Sequence, residues 1–326
     1  MSTTTTPPRP TALSIIQSEN MASRLTDKVV VITGISSGIG IEIVRALATT
    51  DATMYLLARD TLKAQHALGA IFNPSRMHLV QVDQSSLSSV RAAGSYILSR
   101  TRTVNILINN AGVMAVPERR VTEDGVEMQF GVNHLSHFLL FQVLKDAMLA
   151  ATEQGEFCSR VVNVSASGHR IHGLNAPGEY GFEKGGYEPW KAYAQSKTAN
   201  IYMANELERR YGGVGIHATS VHPGLVDTPL GRYLPAEHVE AMLRNEAVMR
   251  ALKSPEEGAA TTVWAAVGRE WEGRGGRYLA DCREAEWGPD DGDRMSSAYT
   301  GHTYCPREEG RLWRDSLEMV GLEDVE

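Results

Sequence analysis

The chain has too few cysteines, too widely spaced, to be held together covalently. Cys158, Cys282 and Cys305 are the only three in 326 residues. With no CxxC pair among them, both a disulfide scaffold and a zinc ribbon are excluded. Such usage fits a reducing, cytoplasmic compartment. No apolar run reaches the roughly 18 residues that a membrane helix needs, so no membrane span is expected. The opening MSTTTTPPRP lacks the apolar stretch of a signal peptide. Positive charge is also scarce: 32 Lys and Arg face 39 Asp and Glu, for a net charge of −7. The basic residues are scattered, and no nucleic-acid partner is expected. No Pro/Gly/Ser linker and no internal repeat divides the chain. With 42% hydrophobic residues to bury, a single large domain is expected.

Residues 1–25 are polar and carry turn-forming prolines, so they are expected to form a mobile arm outside the core, leaving 26–326 as the domain. Within it, short apolar runs alternate with helical stretches. The runs are KVVVIT (28–33), TMYLLA (53–58), MHLVQV (77–82), VNILIN (104–109), RVVNV (160–164), GIHATSV (215–221) and RYLA (277–280). Near-continuous apolar strands suit a parallel sheet covered on both faces. Candidate helices at about 38–50, 60–70, 86–100, 123–150, 191–211 and 255–269 are long enough for the right-handed crossovers that parallel strands require. The pattern predicts an α/β fold, a Rossmann-type doubly wound parallel β-sheet of about seven strands flanked by helices.

The first apolar run leads into TGISSGIG at 33–40, just ahead of a helical segment. Gly34, Gly38 and Gly40, with Ser36, Ser37 and Ile39 between them, allow a tight turn and close approach to a pyrophosphate, which the helix N-terminus attracts. A glycine-rich turn without a ligand is the alternative, and the position directly after strand one argues against it. The second run ends in LLARD. Arg59 there, with Lys63 one helical turn on, can pair with a 2′-phosphate, so NADP(H) is expected over NAD(H). Asp60 reads as a helix N-cap. Asp83 and Gln84 close the third run, Asp83 being suited to an adenine amino group or to an N-cap.

Tyr193 and Lys197 stand four apart in KAYAQSKTANIYMANEL, on one face of a predicted helix. A neighbouring ammonium lowers a phenol's pKa from its usual value of about 10. Reaching neutrality requires about 4 kcal/mol from Lys197 together with a positive nicotinamide ring, a reasonable demand on buried charges. Such a phenol can exchange a proton with a carbonyl or alcohol oxygen while hydride moves to or from a nicotinamide. Asn133, in GVNHLSHF, is placed to hold a water leading from Lys197. His134 and His137 lack acidic or cysteine companions, so no metal site is expected.

Together TGISSGIG, NNAG (109–112), TEDGVEMQFGVNHLSHFLL (122–140), YAQSK (193–197) and HPGLVDT (222–228) make the chain resemble the short-chain dehydrogenases/reductases. Within them it is similar to the retinol-dehydrogenase-like and fungal secondary-metabolite reductases, across residues 28 to about 320. The resemblance implies that Asn110, Ala111 and Gly112 line the cofactor groove and that Asn133 joins the catalytic relay. It further implies that Pro223, Gly224, Val226 and Thr228 border the nicotinamide end. The family's usual catalytic serine would be the second small residue of the VNVSA stretch, which here is Ala166. Strand alternation puts Ser165 and Ser167 on the opposite face from Ala166. Ser167, at the strand exit, is the candidate replacement, and Ser165 is expected to bond backbone.

Loops at 168–192 and 226–255 should lie over the carboxyl ends of the strands, their aromatic residues roofing a small hydrophobic substrate. The segment 254–267 reads as a late crossover helix and a candidate homodimer contact. The leading expectation is an NADP(H)-dependent oxidoreductase interconverting a hydrophobic ketone and a secondary alcohol. The alternatives are a non-redox enzyme of the same fold, suggested by Ala166, and an NADPH-binding regulatory protein.

Overall fold

Seven apolar runs become seven parallel strands in a computed structural model, which describes residues 8–153, 155 and 157–324. In chain order the elements are α1 (Ala12–Ser18), β1 (Val29–Thr33), α2 (Ile39–Ala48), β2 (Thr53–Ala58), α3 (Thr61–Leu68), β3 (Met77–Gln81), α4 (Leu87–Leu98) and β4 (Ile106–Asn109). They continue with α5 (Met128–Phe130), α6 (Ser136–Thr152), β5 (Ser159–Val164), α7 (Pro189–Tyr211), β6 (Ile216–His222), α8 (Ala236–Arg244) and α9 (Glu246–Ala251). The last are α10 (Pro255–Val267), β7 (Arg277–Ala280), β8 (Arg283–Glu284) and α11 (Pro306–Met319).

The sheet order is β3-β2-β1-β4-β5-β6-β7-β8, with β1 to β7 parallel and the two-residue β8 antiparallel to β7. That is the doubly wound arrangement, with one short strand more than expected. Side chains alternate across the sheet. Val30, Ile32, Met54 and Leu56 pack with α2 and α10. Val29, Val31, Tyr55 and Leu57 pack on the other side with α4, α6 and α7. The strand order reverses between β1 and β4, which opens a crevice at their carboxyl ends where ligands bind in such sheets.

The expected arm requires correction. Residues 8–25 are not outside the core: Ala12, Ile15 and Ile16 of α1 are buried in the cluster that includes α2 and α10. The i, i+3, i+4 spacing of those three residues makes a narrow apolar stripe, and Thr11 and Ser14 close a capping box ahead of it. Residues 1–7 of the arm lie outside the described residues.

Candidate active site

The glycine turn and the NNAG turn flank the crevice and are stitched together. Gly34 has φ +76°, and a Cβ there would lie 2.7 Å from the Ala111 Cα. A Cβ on Gly40 would lie 2.1 Å from the Gly34 carbonyl oxygen, and one on Gly38 would lie 3.0 Å from the Thr228 side chain. Thr33 Oγ1 accepts the N–H groups of Asn110 (3.0 Å) and Ala111 (2.9 Å), while Asn110 Nδ2 donates to the Thr33 and Gly34 carbonyls. No side chain caps the N-terminus of α2 at Gly38, so its N–H groups face the crevice unsatisfied by side chains. A pyrophosphate fits that cradle: space kept free of Cβ atoms next to unsatisfied helix donors. Ser36, Ser37 and Ile39 complete the turn.

At the adenosine end, Asp60 is the N-cap of α3, accepting the Lys63 N–H at 2.9 Å. Arg59 and Lys63 are exposed, and the Arg59 guanidinium has no protein partner among the described residues. Asp83 is not an N-cap, because Ser86 takes that position in α4. Its Oδ1 instead accepts the N–H and hydroxyl of Ser85 (2.8 and 2.6 Å). Gln84 Nε2 donates to His137 Nε2 at 2.8 Å, while its Oε1 is buried without a partner. Since that imidazole nitrogen also meets Thr33 Oγ1 (2.8 Å), it accepts both bonds, and the Nδ1–H donates to the Asn133 carbonyl (3.0 Å). Burial holds His137 neutral, its pKa pushed down to about 4. Among the described residues no cluster of His, Cys, Asp or Glu could hold a metal.

Helix α7 starts where the Glu188 carboxylate accepts the N–H groups of Trp190 and Lys191, with Pro189 in its first turn. Tyr193 and Lys197 project from it side by side. Lys197 Nζ lies 5.6 Å from the Tyr193 ring centre and donates to the Val164 carbonyl at 2.9 Å. Both residues are buried, and the Tyr193 hydroxyl makes no hydrogen bond among the described residues. Desolvation dominates the electrostatics: it pushes the phenol up and the ammonium down to about 7. The expected acidification by Lys197 is therefore reversed in the chain alone, because burial penalises both charged forms.

The Asn133 amide is also engaged. Its Oδ1 accepts the Val113 N–H (2.8 Å), and its Nδ2 donates to the Val113 carbonyl and to Ser196 Oγ, both at 2.9 Å. A π-helical turn, Gly131–Leu135, carries it between α5 and α6. Gly112 fits against it, since a Cβ there would meet Asn133 Oδ1 at 3.1 Å and Lys197 Nζ at 3.7 Å. Pro223 and Gly224 form the turn after β6, clamped by Lys253, whose Nζ donates to the Pro223 carbonyl at 3.2 Å. Val226 pairs with the Lys253 backbone, and Thr228 rests on Gly38. The first glycine turn thus meets the segment after β6 at Thr228.

The serine expectation is corrected. The Ser167 hydroxyl donates its one proton to the Arg294 carbonyl at 2.6 Å, leaving none to polarise a substrate oxygen. Ser165 Oγ donates to the Lys197 carbonyl (2.8 Å), the backbone role expected of it. Beside Tyr193 stands Gly168, where a Cβ would lie 3.0 Å from the tyrosine ring and 4.0 Å from the Ala166 methyl. Tyr180 is no roof either: it stacks on Phe130 at 4.9 Å and its hydroxyl donates to Asp315 of α11. Trp190 does border the site, edge-on to Tyr193 at 6.0 Å. Sequence reasoning missed Thr33 and His137 as the stitch between the turns. The helical spacing of His137 from Asn133 was the available signal.

A doubly wound sheet with a glycine cradle at its switch point and a Tyr–Lys pair beside it defines a dinucleotide-fold enzyme. The family model for short chain dehydrogenases matches residues 28–238, and the chain belongs to that family, in its retinol-dehydrogenase-like branch. It is 44% identical over 321 residues to the short-chain dehydrogenase/reductase prx1 of Penicillium roqueforti, covering 97% of this chain and 92% of that one. Retinol dehydrogenase 11 of Mus musculus is 34% identical over 313 residues, covering 92% and 88%. The crystal structure of an uncharacterised protein from Mycobacterium paratuberculosis superposes with a TM-score of 0.70 at 27% identity, covering 97% and 99%. The chain is a short-chain dehydrogenase/reductase, an oxidoreductase by family.

Proposed function

We propose that the protein is an NADP(H)-dependent reductase of a hydrophobic ketone, working reversibly toward the secondary alcohol. The observation that carries this reading is the Tyr193 hydroxyl, which bonds no described residue, on a buried ring beside Lys197 at the crevice bounded by the glycine turn. The cofactor, when bound, supplies hydride at the nicotinamide ring. Gly34, Gly38 and Gly40 would hold its pyrophosphate, Arg59 and Lys63 its 2′-phosphate, and Val226 and Thr228 its nicotinamide end. Asn110, Ala111 and Gly112 would line the groove between, while Asp83 and Gln84 would face the adenine.

Tyr193 provides the proton. Because burial raises its pKa, the phenol is protonated across the neutral range and suits donation to a carbonyl oxygen that gains negative charge. Lys197 orders the proton path, its Nζ held by Val164 and neighboured by Asn133. Asn133 acts as a positioning residue, fastening the Val113 backbone and Ser196. Burial of the Tyr193 ring and of Lys197 strengthens each of these interactions.

The test is NADPH oxidation followed at 340 nm against alkyl-aryl ketones. Tyr193→Phe is expected to keep NADPH affinity and to lose at least about 100-fold in turnover, the scale of one general acid. Full turnover by that variant would sink the reading. Arg59→Ala should weaken NADPH far more than NADH, whereas equal losses would refute the 2′-phosphate assignment.

A second reading is favoured by one specific observation. Ala166 removes the usual hydroxyl and Ser167 does not restore it, so Tyr193 lacks a donor partner on the substrate oxygen. A proton transfer without net redox, such as an isomerisation, tolerates that loss better. Substrate conversion with no change in absorbance at 340 nm would select it.

A further inference from the structure

Above the site lies a loop, residues 287–300, that follows β8 and is built rather than draped. The Ser167 hydroxyl donates to the Arg294 carbonyl at 2.6 Å, and Ser297 Oγ donates to Asp281 Oδ2 at 2.7 Å. Buried Arg170 donates to the Ala298 and Pro289 carbonyls, at 3.1 and 2.8 Å, and pairs with Asp291. The Gly288 N–H closes the base on the Tyr299 carbonyl at 2.8 Å. These ties fix the main chain on both sides of Arg294.

The Arg294 side chain is directed by one neighbour. Its guanidinium carbon lies 4.6 Å from the Trp190 ring centre, and Trp190 in turn meets Tyr193 edge-on at 6.0 Å. On its other side Arg294 lines a cavity of about 290 Å³ with Gly224 and Leu225, the turn assigned above to the nicotinamide end. Three cations border that cavity. Arg9 bonds the Leu252 and Arg250 carbonyls and pairs with Glu257, and Lys253 pairs with Asp281 at 2.6 Å. Arg294 has no carboxylate partner and no side-chain hydrogen bond among the described residues. A guanidinium lying on an indole keeps its N–H edge free, in the fork geometry that matches a carboxylate.

We propose that Arg294 is a specificity-determining residue that binds a carboxylate on the substrate, with Trp190 orienting the fork and the reacting carbonyl at the Tyr193 end. The favoured substrate is then an apolar keto acid, not a neutral ketone. This rests on the reading of Tyr193 as the proton-transfer group.

The experiment uses the full chain with NADPH and two matched pairs: 4-acetylbenzoate against its methyl ester, and 4′-acetylbiphenyl-4-carboxylate against its methyl ester. Wild type should prefer the acid in kcat/KM for at least one pair. Arg294→Ala should lose about 10- to 100-fold on that acid, the scale of one charge-assisted contact, while the ester stays within about twofold. Arg294→Lys should recover only part, having lost the fork. Equal use of acid and ester, or parallel losses on both, overturns the proposal and leaves the arginine as a loop anchor. A fall in NADPH affinity in Arg294→Ala overturns it in favour of a cofactor contact. Should neither ketone of either pair be reduced while NADPH still binds, the ketone-reductase reading fails first. Binding of the acids and esters to the NADP⁺ complex, read from tryptophan fluorescence, then decides the arginine: an acid that binds no tighter than its ester overturns it.

Discussion

Gly40 shows how little freedom the cradle has. Its missing Cβ would sit 2.1 Å from the Gly34 carbonyl oxygen, which belongs to backbone and cannot swing aside. Gly40→Ala must therefore shift the turn, and overpacking of this kind costs about 1–3 kcal/mol. The expected outcome is a lowered thermal midpoint together with at least tenfold weaker NADPH binding by calorimetry. A variant with wild-type affinity would show that the turn does not hold the phosphates. At this scale the sequence was informative where chemistry is local. The glycines, the Tyr193–Lys197 spacing and the Asp60 cap all stand where the residue pattern put them. Ser167 was misjudged because its partner, Arg294, lies on a distant loop whose path no local pattern encodes.

Elements were legible for the same reason. The central runs that became β1, β2 and β4 are nearly continuous in apolar residues, as parallel strands buried on both faces require, while β3, β6 and β7 mix in His, Thr, Ser or Arg. The helix read at 123–150 begins only at Met128 and is widened by the π-helical turn at Asn133. Periodicity cannot resolve a single wide turn. Helix α1 escaped notice behind a Pro- and Thr-rich opening, and α11 was not anticipated. Its packing is substantial: Trp313 is buried, meeting Phe138 edge-on at 4.9 Å and Phe141 at 6.3 Å, with the Arg210 guanidinium 5.0 Å from its ring centre. Trp313→Ala should cost about 3–5 kcal/mol in urea unfolding, as large aromatic truncations in cores do. A loss below 1 kcal/mol would mean that α11 is only loosely docked.

Across the whole molecule, four of the buried histidines give stability a common pH dependence. Burial pushes His134 and His169 down to about 3 and His137 and His222 down to about 4. The unfolded chain takes up these protons first, near its ordinary histidine pKa of about 6.5. Stability is therefore complete above about pH 6.5 and falls as the pH drops toward about 4, where the folded imidazoles begin to charge. The urea midpoint should decline steadily between pH 7 and 4.5, and less steeply in His134→Gln. A flat midpoint across that range would mean that these side chains are not sealed in the folded chain.

The docking of α11 has a consequence for how copies of this protein can meet. The outer flank of the two longest helices, α6 and α7, is already papered over by the chain's own tail. A neighbour approaching from that side encounters the charged back of the last helix instead of a greasy seam. A second copy docking on that flank would meet α11, and not α6 and α7 directly.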